Sequence, residues 1–482
     1  MDLTLNMTDI AALSPLLILL GGALILLLLE CFASEALKKC SLYFTVGALL
    51  VAFYAVVNAP ASESHLLTPW LRFDSIARLF TIFFLLIGIG SALLSTSFFQ
   101  RLDDDRSHGE YFFLLLSSLF GLVLIASAAD FLTLFLGIET LSISLYVLCG
   151  FMKNWENSSE GSMKYFLMGS LAAAFLLYGI ALIYGAVGTT RLDGLLAGYQ
   201  KLTSTQDITL FLAGIAMVTL AFAFEAAIVP FQLWAPDVYA GAPTPVTAFM
   251  SVGTKVGAFA AFFRVFFDAL PNFDPLWNEG IALLAFPTLI FANYLALRQT
   301  RLRRFFAYSG ISHAGFLLIP LAVGTPEALS AMLFYLVVYA LATLGAFAVL
   351  AFVDRGQEGA SVRDLQGLFK RSPLLAAILA LCLLTLAGIP PTVGFFAKFF
   401  LFKIAFQAGY YALVIVALLT TILAAYYYLR IISVMFSDSH QELTDLTRSW
   451  PAAALGAVTC AVIIVLSFYP TPLYELLATF SR

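Results

Sequence analysis

Long apolar stretches recur along the whole sequence, separated by short polar segments. A helix that crosses the hydrocarbon layer of a bilayer needs about 20 consecutive, mainly apolar residues. Stretches of that kind predict about 14 transmembrane helices, at residues 12–30, 41–58, 76–98, 111–128, 131–151, 162–187, 208–229, 243–268, 279–298, 305–323, 328–353, 373–402, 408–435 and 452–469. The pattern therefore predicts an all-α polytopic membrane protein.

Composition excludes a soluble fold. The chain has 482 residues, of which 61% are hydrophobic and 11% charged, whereas about a quarter of the residues of a soluble domain are charged. A net charge of −4 without a basic patch gives no basis for nucleic-acid binding. The cysteines lie far apart, with no C-x-x-C pair and no adjacent histidine, so we expect no metal or iron–sulfur cofactor in this chain.

Charge in the loops predicts the orientation of the chain. Most loop Lys and Arg residues follow odd-numbered predicted helices, and the opposite side has only Arg72, Arg191, Lys201 and Arg482. Basic loops stay on the cytoplasmic side of a membrane. Both termini are therefore predicted to lie on the other side, which agrees with an even number of helices.

Prolines interrupt the seventh predicted helix at Pro230 and the twelfth at Pro390 and Pro391. Proline removes a backbone donor, and freed backbone groups at membrane depth must line a cavity or pack against protein. Paired breaks five helices apart predict two inverted five-helix repeats, with functional groups near each break. The predicted division is 1–110 (helices 1–3), 111–270 (first repeat, helices 4–8), 271–440 (second repeat, helices 9–13) and 441–482 (helix 14).

Ionisable residues occur inside four apolar segments, at Glu139, Glu225, Lys255 and Lys398. A charged side chain at the centre of a bilayer costs about 2.5–3.5 kcal/mol on insertion scales. Proteins that keep such groups usually direct them into a bundle interior or a wet cavity. The four residues therefore predict a path for protons or small cations.

Further polar residues share helix faces with these groups, because residues three or four apart lie on one face. The polar stripes are Glu139, Ser142 and Tyr146; Thr247, Ser251 and Lys255; and Ser309 and His313. Hydroxyl groups can hold waters that pass protons, and a buried lysine changes its protonation when a nearby carboxylate changes its charge. The stripes predict a proton relay that needs no cofactor.

Each candidate also has a static interpretation. Glu139 is then a packing carboxylate, Lys255 and Lys398 extend their amines to the membrane interface, and His313 binds a carbonyl group. Lys164, near the start of helix 6, fits a secondary relay role and a structural role equally well. Three further basic residues are expected to be interfacial: Arg264, Lys403 and Arg430.

Four segments together resemble one known family. They are LGIE at 136–139, PFQLWAPDVYAGAPTPV at 230–246, SGISHAG at 309–315 and LAGIPPTVGFFAKF at 386–399. From helix 1 to helix 14 the chain resembles the antiporter-like membrane subunits of proton-pumping NADH–quinone oxidoreductase, respiratory complex I, and among them subunit N. The DVYxGAPxPV element distinguishes this resemblance from subunits L and M and from sodium/proton antiporter subunits.

The resemblance implies a membrane-arm subunit of an enzyme complex, without its own redox centre, that translocates protons driven by distant quinone reduction. Glu139, Lys255, Lys398 and His313 match family residues of helices 5, 8, 12 and 10. NADH, FMN, iron–sulfur clusters and quinone are then expected to bind elsewhere in the complex. M-type and K-type subunits are the implied neighbours. The implied location is the bacterial inner membrane, with both termini on the periplasmic side.

Two positions depart from the family pattern. The family has a lysine five residues before the helix 7 proline and usually a histidine after Pro-Phe, where this chain has Glu225 and Gln232. If Glu225 faces Glu139, the two carboxylates resist joint ionisation and share a proton. We therefore expect Glu225 to weaken proton translocation relative to a lysine, and we keep Gln232 as a secondary relay candidate.

Two other functions stay open at this point. A component of a sodium/proton antiporter would use the same broken helices but would transport without an NADH-oxidising partner. A structural spacer of the membrane arm would keep proton pumping intact when Glu139 is changed to Gln. A membrane enzyme with its own chemistry is disfavoured, because the sequence has no nucleophile–base pair, phosphate loop or metal-ligand cluster.

Overall fold

The computed structural model describes residues 6–59, 67–102, 108–271, 273, 275–438, 446 and 449–480. In these ranges the chain forms α-helices, short 3₁₀ and π-helical turns and isolated bridges but no strands. The helices are α1 (Met7–Phe32), α2 (Glu35–Lys38), α3 (Ser41–Asn58), α4 (Ser75–Arg101), α5 (Gly109–Ser127), α6 (Phe131–Cys149), α7 (Glu156–Val187), α8 (Leu195–Gln200), α9 (Thr205–Glu225), α10 (Trp234–Gly241), α11 (Thr244–Phe262), α12 (Pro275–Ala296), α13 (Leu302–Val323), α14 (Pro326–Val353), α15 (Leu368–Arg371), α16 (Pro373–Ala387), α17 (Val393–Gln407), α18 (Tyr411–Phe436), α19 (Trp450–Phe468) and α20 (Pro470–Thr479).

Within the described ranges, 13 helical segments are long and apolar enough to cross a membrane. The interrupted pair α16 and α17 covers the remaining predicted segment, 373–402. The prediction of an all-α polytopic membrane protein is confirmed. The inverted repeats and the domain boundaries stay predictions. The boundary at 440 and the terminal Arg482 lie outside the described residues.

Helices α11, α13 and α14 form the centre of the bundle. Every residue of α11 is buried, and so are nearly all residues of α13 and α14. The peripheral helices α1, α3, α18 and α19 instead leave large apolar side chains exposed. An exposed apolar face suits contact with lipid, whereas polar side chains need shelter from it. The central helices therefore provide the place where ionisable groups can be kept.

The first helix break separates α9 from α10, between Glu225 and Trp234. Ala227 has a positive φ of 57°, and the Val229–Pro230 peptide bond is cis. The backbone N–H of Val229 donates to Thr288 Oγ1 at 3.2 Å. The indole N–H of Trp234 donates to the carbonyl oxygen of Phe224 at 3.0 Å. Thr288 thus satisfies a backbone N–H that the lost helical turn leaves free, as membrane depth requires, and the Trp234 indole adds a second bond to a carbonyl oxygen that already accepts from Ala227.

The second break separates α16 from α17, between Ala387 and Val393. Gly388 takes a left-handed conformation with φ of 77°, and the Pro390–Pro391 peptide bond is cis. The amine of Lys398 donates to the carbonyl oxygen of Ala387 at 2.9 Å. The backbone N–H of Val393 donates to Ser467 Oγ at 2.9 Å. Lys398, a candidate relay residue, therefore also satisfies a backbone carbonyl group that the helix break leaves free.

Arg264, which we expected to be interfacial, is buried among the ends of α4, α5 and α11. Its side chain is 1% exposed, in a π-helical turn at 263–269 that continues α11. The guanidinium donates to the two carboxylate oxygens of Asp74 at 2.6 and 2.7 Å and to the Ala126 carbonyl oxygen at 2.7 Å. Paired acceptors of this kind make a buried guanidinium tolerable. The side chains of Lys403 and Arg430 are exposed.

Candidate proton-relay site

Lys255 lies in the centre of the bundle on α11, with a side chain that is 1% exposed. Its Nζ donates to the hydroxyl oxygen of Tyr239 at 3.3 Å and lies 5.6 Å from the centroid of that ring. Gly310 on α13 makes room for the lysine, because a Cβ there would be 2.9 Å from Lys255 Cε. The lysine therefore does not extend to the membrane interface, and the static interpretation of it is disfavoured.

Glu225 is the last residue of α9, directly before the first helix break. Its side chain is 4% exposed, and its Oε1 atom has no hydrogen-bond partner among the described residues. The charges of Glu139 and Lys255 both act on Glu225, and the charge of Glu225 acts in turn on Lys255. Glu225 is therefore a buried carboxylate at the first helix break, within electrostatic reach of Glu139 and Lys255.

Glu139 lies on α6 but not in the bundle interior, where we expected it. Its side chain is partly exposed, and its neighbours on that face, Leu136 and Ile143, are 58% and 56% exposed. The other two residues of this stripe, Ser142 and Tyr146, face the bundle interior and are only 3% and 8% exposed. The bundle of this single chain does not enclose Glu139, because α6 runs along its edge, and helical spacing does not tell which face meets a neighbour.

His313 on α13 is surrounded by hydroxyl groups. Its Nδ1 is 2.6 Å from the hydroxyl of Tyr335 on α14, and its Nε2 is 3.3 Å from the hydroxyl of Tyr428 on α18. Its ring centroid lies 4.8 Å from that of Tyr339. These partners do not fit the static interpretation, in which the histidine binds a carbonyl group.

Tyr339 connects the histidine with the first lysine. Its hydroxyl donates to the Ser251 carbonyl oxygen at 2.8 Å, one turn before Lys255 on α11. A Cβ at Gly310 would be 3.0 Å from Lys255 Nζ and 3.1 Å from the Tyr339 hydroxyl, which places both groups around the same glycine. The Ser251 hydroxyl donates to the Thr247 carbonyl oxygen at 2.7 Å.

Lys398 on α17 lies near His313. Its side chain is 4% exposed, and its Nζ lies 4.7 Å from the centroid of the Phe316 ring. A small cavity is lined by Lys398, His313, Tyr335 and Tyr339, among others. The charges of Lys255 and Lys398 both act on His313. The histidine therefore shares a cavity with Lys398 and contacts Tyr339, whose hydroxyl lies near the Lys255 amine.

Two of the secondary candidates, Lys164 and Gln232, have different surroundings. Lys164 is 44% exposed and pairs with Glu160 at 2.7 Å and with Asp237 at 2.9 Å, so it ties α7 to α10. These ion pairs favour the structural role for Lys164. Gln232 lies in the first break, and its Oε1 atom is buried without a hydrogen-bond partner among the described residues.

The four tyrosines that surround Lys255, Lys398 and His313 were not predicted from the sequence. They are Tyr239, Tyr335, Tyr339 and Tyr428. One signal was available, because Tyr335 and Tyr339 are four residues apart in an apolar segment and so share a helix face. Tyr239 and Tyr428 carry no comparable signal, since single tyrosines are common at membrane interfaces.

The arrangement suits proton transfer between fixed groups. A carboxylate, two amines, an imidazole and phenol hydroxyls can each hold or pass a proton over hydrogen-bond distances. In the part of the chain that the structure describes, no cluster of three His, Cys, Asp or Glu residues could hold a metal ion.

Known proteins share this fold. A family model described as NADH:quinone oxidoreductase/Mrp antiporter, transmembrane, matches residues 128–424. NADH-quinone oxidoreductase subunit N of Protochlamydia amoebophila (strain UWE25) is 61% identical over 100% of both chains. A chain of respiratory complex I from Thermus thermophilus with bound aureothin matches with a TM-score of 0.81 and 31% identity, over 96% of this chain and 98% of that one.

A chain of the membrane-bound sulfane sulfur reductase, an archaeal respiratory membrane complex, matches with a TM-score of 0.84 and 26% identity, over 98% of this chain and 97% of that one. The chain therefore belongs to the antiporter-like membrane family of NADH:quinone oxidoreductases and Mrp antiporters, and within it to the NADH-quinone oxidoreductase subunit N family.

Proposed function

We propose that this chain is a proton-translocating subunit in the membrane arm of an NADH–quinone oxidoreductase. The observation that carries the proposal is a set of buried polar residues at the centre of the bundle, namely Glu225, Lys255, Tyr339, His313 and Lys398. Relatives named subunit N, and the likeness to a chain of the Thermus thermophilus complex, support it.

The first step of the relay is an exchange between Glu225 and Lys255. An ionised Glu225 holds the proton on the lysine amine, and protonation of Glu225 removes that attraction, so Lys255 releases its proton. Tyr339 and His313 then offer the route to Lys398, whose amine also satisfies the Ala387 carbonyl oxygen at the second break.

The chain needs no bound cofactor for these steps. NADH, FMN, iron–sulfur clusters and quinone would bind other subunits, and quinone reduction there would drive this relay from a distance. The proposed neighbours are M-type and K-type membrane subunits. We place the chain in the bacterial inner membrane with both termini on the periplasmic side, as the distribution of basic loops predicts.

The test is NADH-driven proton uptake in inverted membrane vesicles, recorded together with NADH oxidation. Lys398→Met removes the buried amine, and Lys403→Met is its matched control, because Lys403 lies on the same helix with an exposed side chain. We expect Lys398→Met to lower coupled proton uptake and Lys403→Met to leave it unchanged. Equal proton uptake in both variants and the parent would refute the proposal.

Glu225→Lys restores the residue type of the family at the first break. We expect a higher proton yield per NADH in this variant, because a lysine there can pair with Glu139 instead of repelling it. An unchanged yield, with both activities intact, would mean that the carboxylate conducts as well as a lysine and that our expectation of a weakened relay is wrong.

A sodium/proton antiporter component is the second candidate, favoured by the Mrp antiporters in the matching family description. Under this alternative, cation-driven proton exchange would persist in vesicles that lack NADH oxidation, and NADH-driven uptake would not depend on this chain. For a structural spacer, Glu139→Gln would leave proton yield intact while the complex assembled normally.

A further inference from the structure

Arg303, the second residue of α13, is buried at the end of the bundle where α14 ends. Its side chain is 3% exposed, and its Nη2 donates to Asp354 Oδ1 at 2.8 Å. The other carboxylate oxygen of Asp354 accepts from the hydroxyl of Thr244, the first residue of α11, at 2.6 Å. One buried ion pair therefore ties together the ends of the three central helices.

The same guanidinium also bonds to α10, the short helix that follows the first break. Arg303 Nη1 donates to the carbonyl oxygen of Ala242 at 3.0 Å and, more weakly, to that of Ala240 at 3.4 Å. Ala240 lies in the last turn of α10, and Ala242 caps that helix. The last carbonyl groups of a helix have no partner within it, and a cation there opposes the negative end of the helix dipole. Arg303 therefore completes the carbonyl end of α10.

Neighbouring helices must hold α10 in place, because it has only eight residues, about two helical turns. A helix this short takes most of its stability from contacts with its neighbours. Besides Arg303, the hydroxyl of Thr247 on α11 reaches the Tyr239 carbonyl oxygen at 3.2 Å. On the outer side of α10, Asp237 pairs with Arg304 at 3.3 Å. Two consecutive arginines of α13 thus contact α10, one from the buried side and one from the exposed side.

Tyr239 makes the position of α10 important for the relay. It directly precedes Ala240, its side chain is fully buried, and its hydroxyl oxygen accepts from Lys255 Nζ at 3.3 Å. A separation of about 3.6 Å is no longer a hydrogen bond, so a shift of α10 by about 0.3 Å breaks this contact. The carbonyl groups that Arg303 holds therefore belong to the segment that carries the phenol to the lysine.

We propose that Arg303 is a positioning residue of the relay, which holds the carbonyl end of α10 so that the Tyr239 hydroxyl stays at the Lys255 amine. A guanidinium suits this task, because its planar fork can donate to Asp354 and to α10 at the same time. A lysine would keep the positive charge beside Asp354 but could not make the same set of bonds. The inference rests on the proposed function, in which Lys255 holds and releases a proton.

Arg303→Lys tests the inference in inverted vesicles that carry the assembled oxidoreductase. We expect NADH-driven proton uptake, measured per assembled complex, to slow about fivefold, as for the loss of one hydrogen bond. Arg304→Lys is the matched control, because Arg304 is the next residue, is 43% exposed, and has an ion pair with Asp237 that a lysine can keep. Uptake in Arg304→Lys should equal that of the parent.

Tyr239→Phe decides whether Arg303 acts through the phenol. This variant keeps the ring, removes the hydroxyl and should itself slow proton uptake. Adding Arg303→Lys should slow it no further, because the bond that Arg303 protects is already absent. An arginine that only stabilises the fold would instead slow uptake by the same factor with and without the hydroxyl, since independent effects add in free energy.

Gly359→Ala moves the guanidinium by a second route, in case Arg303→Lys prevents assembly. A Cβ at Gly359 would be 3.0 Å from Arg303 Nε and 3.1 Å from its Cζ. Gly359 has a positive φ of 68°, so alanine also strains the loop, but this strain is the same with and without the Tyr239 hydroxyl. Gly359→Ala should therefore slow uptake in the parent and not in Tyr239→Phe.

Four results would overturn the inference and leave the proposed function intact, provided that Lys398→Met is impaired. They are parent-like uptake in Arg303→Lys, parent-like uptake in Tyr239→Phe, an equal loss in Arg304→Lys, and the same slowing by Arg303→Lys in both backgrounds. Parent-like uptake in Lys398→Met would refute the proposed function and this inference together.

Discussion

Gly310→Ala is the substitution that should disturb the relay with the least damage to the fold. The added Cβ would be 2.9 Å from Cε and 3.0 Å from Nζ of Lys255. Ordinary contacts between carbon atoms are about 3.5–4.0 Å, so the end of the lysine must move by about 0.6 Å or more. It can do so, because the amine is the far end of a flexible side chain.

The displacement is enough to break a hydrogen bond. The bond from Lys255 Nζ to the Tyr239 hydroxyl is already 3.3 Å long, and a separation of about 3.6 Å is no longer a hydrogen bond. A hydrogen bond to a charged group contributes about 1.5–3 kcal/mol. We therefore expect proton uptake through this subunit to slow by about tenfold or more.

The assay is NADH-driven proton uptake in inverted vesicles, with the amount of assembled complex measured in parallel. Assembly should stay normal, because alanine is favoured over glycine inside a helix by about 0.5–1 kcal/mol. Gly280→Ala in α12 is the matched control, because a Cβ there meets no atom within 4 Å. Parent-like uptake in Gly310→Ala, or an equal loss in Gly280→Ala, would refute the idea that proton transfer depends on the position of the Lys255 amine.

Three further predictions concern the fold. Arg264→Met leaves Asp74 without its partner and should lower the free energy of unfolding by about 3–5 kcal/mol, which thermal unfolding in detergent can measure. Burial raises the pKa of the Asp74 carboxyl, but the hydrogen bonds and charge of Arg264 outweigh this, and the pKa lies below its ordinary value. The stabilisation from Asp74 is then fully present above the ordinary pKa of about 3.9 and disappears as pH falls through the lower folded value. Asp74→Asn should remove that pH dependence from unfolding curves, and an unchanged dependence would contradict the assignment. Ala227→Gly relieves a left-handed conformation that costs a non-glycine residue about 1–2 kcal/mol. It should therefore destabilise the fold less than Ala226→Gly, because Ala226 has a φ of −75° and no such strain. Equal unfolding midpoints for the two variants would contradict this prediction.

The sequence by itself determined the membrane spans, the helix breaks and the ionisable residues inside apolar segments. These properties are local, because the cost of a charge or of a free backbone group in lipid depends on its depth within one helix. Lys255, Lys398 and His313 stand out for that reason without knowledge of any partner. The motif around Pro230 pointed to the family for a similar reason, since it is contiguous in sequence.

Only the tertiary structure decided which of these groups meet. Helical spacing defines a face but not its neighbour, so Glu139 proved to lie at the edge of the bundle, and Arg264 proved to be buried against Asp74. The tyrosines that join Lys255 to His313 come from distant segments, and their contacts depend on how α11, α13 and α14 are rotated against one another. That rotation is fixed by packing across the whole bundle, a property that no single segment of the sequence contains.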